Sequence, residues 1–131
     1  MKKIAALFIC LAISAFSENL VLENGTAYPL QHEKSQMAIQ WAASAKEVQE
    51  HNQASIQGKK LNSATLEAIG KQGKLKLSIP KNAEYFRVVV WLKGEGSPAF
   101  ITNWVEVVPN KIYQLKSDHL IPAVLMSGMG C

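Results

Sequence analysis

Four side chains in the second half of the chain have the types and the spacing of a contact surface. Tyr85, Arg87 and Trp91 occupy odd-numbered positions of one apolar run, and Trp104 lies in the run that follows. Alternate residues of a β-strand point to the same side, so the first three are predicted to share one face. Tyr, Trp and Arg are enriched at binding hot spots because they join a large contact area to a polar group. The pattern therefore predicts recognition by contact.

Two different structures could cover this aromatic face. One is a helix of the same chain with the apolar stripe Met37, Trp41 and Val48, which would bury the face in a second packed layer. The other is a partner molecule. A glycan is a narrower form of the second alternative, because aromatic faces also stack against sugar rings.

Lysines are concentrated just before the same strand. Lys71, Lys74 and Lys76 belong to a stretch, Lys59 to Lys81, in which Glu67 is the one acidic residue. We predict that these three lysines steer an acidic partner or an anionic envelope surface toward the chain. The alternative is a solvated edge of loop and strand. The formal net charge is +4 for the whole chain and +2 without Lys2 and Lys3 of the predicted signal peptide, which is too weak to indicate nucleic acid as a partner.

No residue pattern indicates catalysis or metal binding. Ser117, Asp118 and His119 have the residue types of a nucleophilic triad, but neighbours in sequence diverge on a strand or turn, so a polar turn is the prediction. His32, His51 and His119 lack zinc-site spacing. We therefore predict no enzyme, no metal and no cofactor.

A small secreted enzyme or enzyme inhibitor is the alternative from a different class. Its site would have to be assembled from residues that are distant in sequence. The candidate acids and bases are Glu84, Glu95, Glu106, Asp118 and His119.

Residues 1–17 have the layout of a secretory signal peptide. Met1-Lys2-Lys3 is a short basic start, an apolar run follows, and Ala15 and Ser17 supply small residues before a cleavage site. The apolar run is too short for a membrane anchor, so no transmembrane segment is predicted in the mature chain. We expect cleavage to leave residues 18–131 as one globular domain, exported to the periplasm or secreted, with a flexible tail from about residue 126.

Cys131 would then be the one cysteine of the mature chain, because Cys10 leaves with the signal peptide. An unpaired thiol in an oxidising compartment predicts an intermolecular disulfide, and hence a disulfide-linked dimer through Cys131. A frayed terminal thiol without a role is the alternative.

Hydrophobic periodicity predicts an α+β fold. Residues 35–52 carry Met37, Trp41, Ala45 and Val48 at helical spacing, with Ser35 as the N-cap. A strand with Met37, Ile39 and Trp41 on one face competes with this helix. A strong turn at Asn24-Gly25 separates two extended pieces, Leu20–Glu23 and Thr26–Leu30, and one or two helical turns are expected over Ala64–Ile69.

From residue 74 onward the apolar residues recur with a period of two. Short loops separate the successive strands, which predicts an antiparallel meander in the C-terminal half and about five strands in all, with the apolar tail as an edge strand. If residues 35–52 were extended, the alternative would be an all-β sandwich. The predicted strands of the meander are Lys74–Ile79, Glu84–Lys93, Phe100–Val108 and Lys111–Lys116.

These observations together predict an exported, non-enzymatic binding or interaction module of the bacterial cell envelope. Its contact surface would be an aromatic and basic sheet face, made of the seven aromatic and basic residues named above. Its partner would be another envelope or host protein, or an anionic or glycan surface. A secreted virulence or host-contact role is the alternative that the sequence does not separate from it.

Overall fold

The computed structural model describes residues 18–30, 36–92 and 97–123. Within these ranges the chain forms one α-helix and nine strands, arranged as two mostly antiparallel sheets in an α+β fold. The elements are β1 Asn19–Asn24, β2 Gln36–Ala42, α1 Ala45–Ile56, β3 Leu66–Ala68, β4 Gly73–Ser78, β5 Tyr85–Trp91, β6 Phe100–Ile101, β7 Val105–Glu106, β8 Ile112–Leu115 and β9 Ile121–Pro122. The α+β class is confirmed, with more strands than the five predicted.

The smaller sheet has the strand order β4-β1-β8 and the larger sheet the order β3-β2-β5-β6-β9, with β7 also paired to β5. All described pairings are antiparallel except β1 with β8, which is parallel. The pairing of β2 with β5 is the longest in the larger sheet and runs from Gln36 opposite Trp91 to Ala42 opposite Tyr85.

The two sheets pack face to face over one hydrophobic core. Alternate residues of each strand point to this core, because successive side chains of a strand leave opposite faces. The buried members are Leu20, Leu22, Leu77, Tyr113 and Leu115 from the smaller sheet, and Met37, Ile39, Trp41, Phe86, Val88 and Val90 from the larger sheet, with Ile69 beside them.

The larger sheet is also buried on its outer face. There Ala38, Val89, Trp91 and Ile101 form a second cluster with Leu61, which lies in the segment after α1. Every residue of β5 after Tyr85 is buried. A strand covered on both faces reads as a continuous apolar run rather than an alternating one.

The prediction of a helix over residues 35–52 was wrong at its beginning. Gln36–Ala42 is strand β2, as the competing interpretation had it, and the helix runs from Ala45 to Ile56. Met37 and Trp41 are four residues apart, which suits one side of a helix and also one face of a strand. The N-cap is Ser44, whose Oγ accepts a hydrogen bond from the Glu47 amide at 3.1 Å. Ser35 lies outside the described residues.

The predicted four-strand meander was also wrong, because its outer members belong to the other sheet. β4 pairs with β1 rather than β5, and β8 pairs with β1 rather than β7. Only the central hairpin of β5 with β6 and β7 is confirmed. Short connections bring successive strands close together, but here the connection after β4 crosses from one sheet to the other, which periodicity does not reveal.

Smaller predictions had mixed outcomes. Residues 26–30 do not form a strand. The Asn24 side chain instead holds this segment: its oxygen accepts from the Thr26 amide and hydroxyl at 3.1 and 2.7 Å, and its Nδ2 donates to the Tyr28 carbonyl at 2.9 Å. Residues 63–69 form one 3₁₀ turn and then β3, where one or two helical turns were predicted. The tail does supply an edge strand, β9, which pairs with β6.

No helix within the described ranges has both the length and the apolar character needed to cross a bilayer. Residues 1–17, on which the signal-peptide prediction depends, and Cys131 lie outside those ranges.

The core between the sheets predicts unequal effects for two isoleucines on strands. Ile39 is 0% exposed in the core and Ile112 is 54% exposed on β8. Ile39→Ala should lower the free energy of unfolding by about 2–5 kcal/mol, since it removes buried methyl groups and leaves a cavity. Ile112→Ala should change it by less than about 1 kcal/mol. Urea denaturation measures both; equal losses would contradict the two-sheet core.

Candidate functional site

The predicted contact residue Arg87 lies inside the molecule, between the larger sheet and helix α1. It is 1% exposed, although it carries a guanidinium group. Its Nε donates to the Oε1 of Gln40 on β2 at 2.8 Å. Its two terminal nitrogens donate to helix α1, to Asn52 Oδ1 at 3.4 Å and Ser55 Oγ at 3.3 Å. Arg87 therefore joins the helix to the sheet.

Trp104 completes this arrangement from the segment between β6 and β7. The Arg87 guanidinium lies 4.6 Å from the centre of the Trp104 ring, in cation–π distance. The indole Nε1 donates to Asn52 Oδ1 at 2.9 Å, and the ring stacks against His51 at 5.7 Å. We call Gln40, His51, Asn52, Ser55, Arg87 and Trp104 the helix-docking cluster.

The helix-docking cluster holds α1 by polar contacts, because the helix contributes no fully buried residue. A helix docked without an apolar stripe depends on directional interactions with the sheet. Among the described residues no carboxylate pairs with Arg87, so neutral oxygens and one aromatic ring solvate its charge. Burial lowers the pKa of Arg87 to about 10, which leaves the guanidinium charged at neutral pH.

His51 is the titratable group at the margin of this cluster. Burial lowers its pKa; the Glu47 carboxylate opposes that shift, and the Arg87 charge adds to it. Its Nε2 lies 3.7 Å from Glu47 Oε1, which is too long for a hydrogen bond, and finds no hydrogen-bond acceptor in the described part of the chain. The neutral imidazole is therefore the form that this position favours.

The remaining aromatic candidates are also largely enclosed. Trp91 is 8% exposed and belongs to the second cluster, with Leu61 and Val89. Tyr85 is half-buried at the start of β5. The structure thus brings Arg87 and Trp104 together and covers this face with the chain itself. Helix α1 covers Arg87 and Trp104, as one of the two alternatives proposed, and Leu61 after the helix packs with Trp91. Met37 and Trp41 take no part in this cover.

The predicted lysines lie on the opposite side of the molecule. Lys74 and Lys76 alternate with the inward Leu75 and Leu77 of β4, so they point away from the core. Lys71 is exposed in the loop before β4. The seven predicted residues therefore form two groups, which the sandwich of two sheets separates.

The outward side chains of the smaller sheet form a surface that we call the basic face. On it Val21 of β1 lies between Lys76 of β4 and Ile112 of β8, and Glu23 lies between Lys74 and Gln114. Ile112 is 54% exposed and Val21 is half-buried. An apolar centre with charged residues at its margin is the arrangement of a protein contact surface.

No protein-family model and no curated protein matches this chain.

Sequence reasoning missed the partners of Arg87 and the apolar centre of the basic face. Asn52 and His51 fell at the end of the predicted helix, where nothing marked them as contacts of a strand residue. Ile112 was placed correctly on alternate positions with Tyr113, but periodicity does not say which of two faces is outside. A single Arg on a strand otherwise made of Tyr, Phe, Val and Trp was the available signal for the helix-docking cluster.

Removing the guanidinium tests the helix-docking cluster. Arg87→Met should lower the free energy of unfolding by about 2 kcal/mol or more, because the buried Gln40 oxygen loses its donor. The double variant Arg87→Met/Gln40→Leu should recover part of that loss, since both polar partners are gone. Denaturation with far-ultraviolet circular dichroism measures this. A fully stable single variant would contradict the role of Arg87.

The His51 position predicts acid sensitivity. Its pKa is lowered in the folded chain, so the unfolded chain binds the proton more readily. The free energy of unfolding should therefore fall as pH drops below about 6.5 toward the native pKa. His51→Gln should flatten this dependence. Urea midpoints between pH 5 and pH 7 measure it; an unaltered slope in His51→Gln would contradict the assignment.

Proposed function

We propose that this chain is an exported, non-enzymatic interaction module of the bacterial cell envelope that binds an acidic protein partner on its basic face. The observation that carries the proposal is the row of Lys76, Val21 and Ile112 across the three strands of the smaller sheet. Of the two surfaces predicted from the sequence, this one remains open to solvent, whereas the aromatic one is covered largely by α1 and the segment after it.

The composition of the face supports a protein partner. The exposed Ile112 and the half-buried Val21 would supply apolar contact at the centre. Lys71, Lys74 and Lys76 would supply positive potential along one edge. Glu23 of β1, opposite Lys74, is an acidic residue on the same face. Potentials of this kind raise the rate of encounter and select partners by charge, while the apolar centre carries the contact energy.

Export and the compartment are supported by the signal-peptide pattern of residues 1–17. A partner in the periplasm and a host protein outside the cell both meet the chemistry of the face. A disulfide-linked dimer through Cys131 would add a second copy of the face, which would strengthen binding to a partner with repeated acidic sites.

Site-specific photo-crosslinking tests the proposal in cells that express the full-length chain. A photoreactive phenylalanine analogue replaces Ile112 in one strain and Ile56 in another. These two isoleucines are 54% and 50% exposed, but Ile56 lies at the end of α1 on the other side of the molecule. We expect a discrete crosslinked protein from position 112 and none from position 56.

Charge reversal provides the second arm of this experiment. Lys74→Glu/Lys76→Glu should abolish the crosslink from position 112. Lys59→Glu/Lys60→Glu should preserve it, because this pair makes the same charge change in the exposed segment after α1. Crosslinking of equal yield from both positions, or a product that survives reversal at 74 and 76, would refute the proposal. A crosslink to polysaccharide alone would replace the protein partner with a glycan.

A further inference from the structure

A cleft of about 360 Å³ opens between the two sheets, at the edge opposite β4. Its walls come from β1, β5, β7, β8 and β9, and they are apolar: the lining includes Leu22, Phe86, Val88, Val105, Leu115 and Ile121. The volume falls at the lower end of the range for small-molecule sites, about 300–1,000 Å³. The space exists because β8 and the β6–β7 segment lie on facing sheets and do not pair with each other.

The polar groups within the walls are already satisfied by the chain. The Tyr113 hydroxyl donates to the Glu106 carbonyl at 2.7 Å and accepts from the Val108 amide at 2.8 Å. The Thr102 hydroxyl donates to the Asn103 carbonyl at 2.9 Å and accepts from the Val88 amide at 2.9 Å. Both side chains are therefore fixed in place, and the walls present apolar surface to whatever enters.

The Tyr113 ring is further held by its neighbours. It meets Phe86 edge to face, with ring centres 4.9 Å apart. Lys111 lies over the Tyr113 ring, with its Nζ 4.9 Å from the centre. A wall whose aromatic rings are held in this way is preformed, so a ligand would not have to order it on binding.

The rim of the cleft carries an acidic side chain. Among the described lining residues, Asp118 is the one carboxylate, and there is no Lys or Arg. His119 stands next to it on the same 3₁₀ turn, and its Nδ1 accepts from the Lys116 amide at 3.0 Å. That bond orients the imidazole. Asn103, which is exposed, adds an amide group at the rim.

We propose that this cleft binds a small aromatic amine, with its ring between the two sheets and its ammonium group at Asp118. The apolar walls with fixed aromatic edges select the ring. The Asp118 carboxylate selects a cationic head over an anionic one, and the described lining offers no Lys or Arg to pair with an anion. The Asn103 side-chain oxygen would accept a remaining hydrogen bond of the ammonium group.

Three probes that share one ring distinguish the parts of this proposal. Calorimetric titration of the full chain uses 2-phenylethylamine, 2-phenylethanol and phenylacetate, which carry a cation, a neutral group and an anion. The amine should bind about two- to fivefold more tightly than the alcohol, as expected for an exposed charge pair. Phenylacetate should bind most weakly.

Matched variants assign the effect to the cleft. Asp118→Asn should remove the preference for the amine, while Glu106→Gln, the same charge change outside the lining, should leave it. Val105→Phe should weaken all three probes by about tenfold or more, because its ring occupies the space. Methyl NMR signals provide the location: Val88 should shift on titration, and Val89, its neighbour on the opposite face of β5, should not.

Several results would overturn the proposal. One is the absence of saturable binding by any of the probes at millimolar concentration. Another is phenylacetate binding as tightly as the amine. A third is a titration shift at Val89 that equals the shift at Val88, since that would place the probe outside the cleft.

Discussion

Burial of β5 on both faces is the constraint on which the rest of this structure depends. Its even-numbered residues, among them Phe86 and Val88, form the core with the smaller sheet. Its odd-numbered residues, among them Arg87 and Trp91, face the other way and need a separate cover. Helix α1 and the segment after it provide that cover. One strand therefore organises two layers, and no residue of β5 from Phe86 to Trp91 is exposed.

The contacts between helix α1 and the larger sheet are polar because Arg87 lies buried between them. In the described part of the chain no carboxylate pairs with this buried guanidinium, so neutral groups must solvate it, and Gln40, Asn52 and Ser55 provide three oxygens. The helix is consequently docked through hydrogen bonds and ring contacts rather than through an apolar stripe. Since Arg87 and Trp104 serve this internal contact, the recognition of another molecule that we propose would use other surfaces. The basic face and the cleft between the sheets are two such surfaces, on different parts of the smaller sheet.

The features that local pattern determines could be predicted, and those that depend on pairing between distant segments could not. The α+β class, strand β1 and the hairpin of β5 with β6 and β7 follow from periodicity and turn residues. The assignment of β4 and β8 to the sheet of β1 does not, because a strand's alternation says nothing about its neighbour. The boundary between β2 and α1 was misplaced because Met37 and Trp41 suit both a strand and a helix. For the candidate site, the sequence predicted that Arg87 and Trp91 share one face of a strand. It did not decide whether a helix of the same chain or a partner molecule covers that face.

Hydroxyl-radical footprinting tests most directly the claim that a partner binds the basic face and not the aromatic face. The oxidation of each side chain is measured by mass spectrometry, first in the free chain and then in the crosslink-identified complex. Tryptophan is intrinsically reactive, so low oxidation of Trp91 in the free chain would reflect its enclosure. We predict that Trp91 is protected in both states, and that Ile112 is oxidised in the free chain and protected in the complex. A Trp91 that is oxidised in the free chain and becomes protected on binding, with Ile112 unchanged, would contradict it.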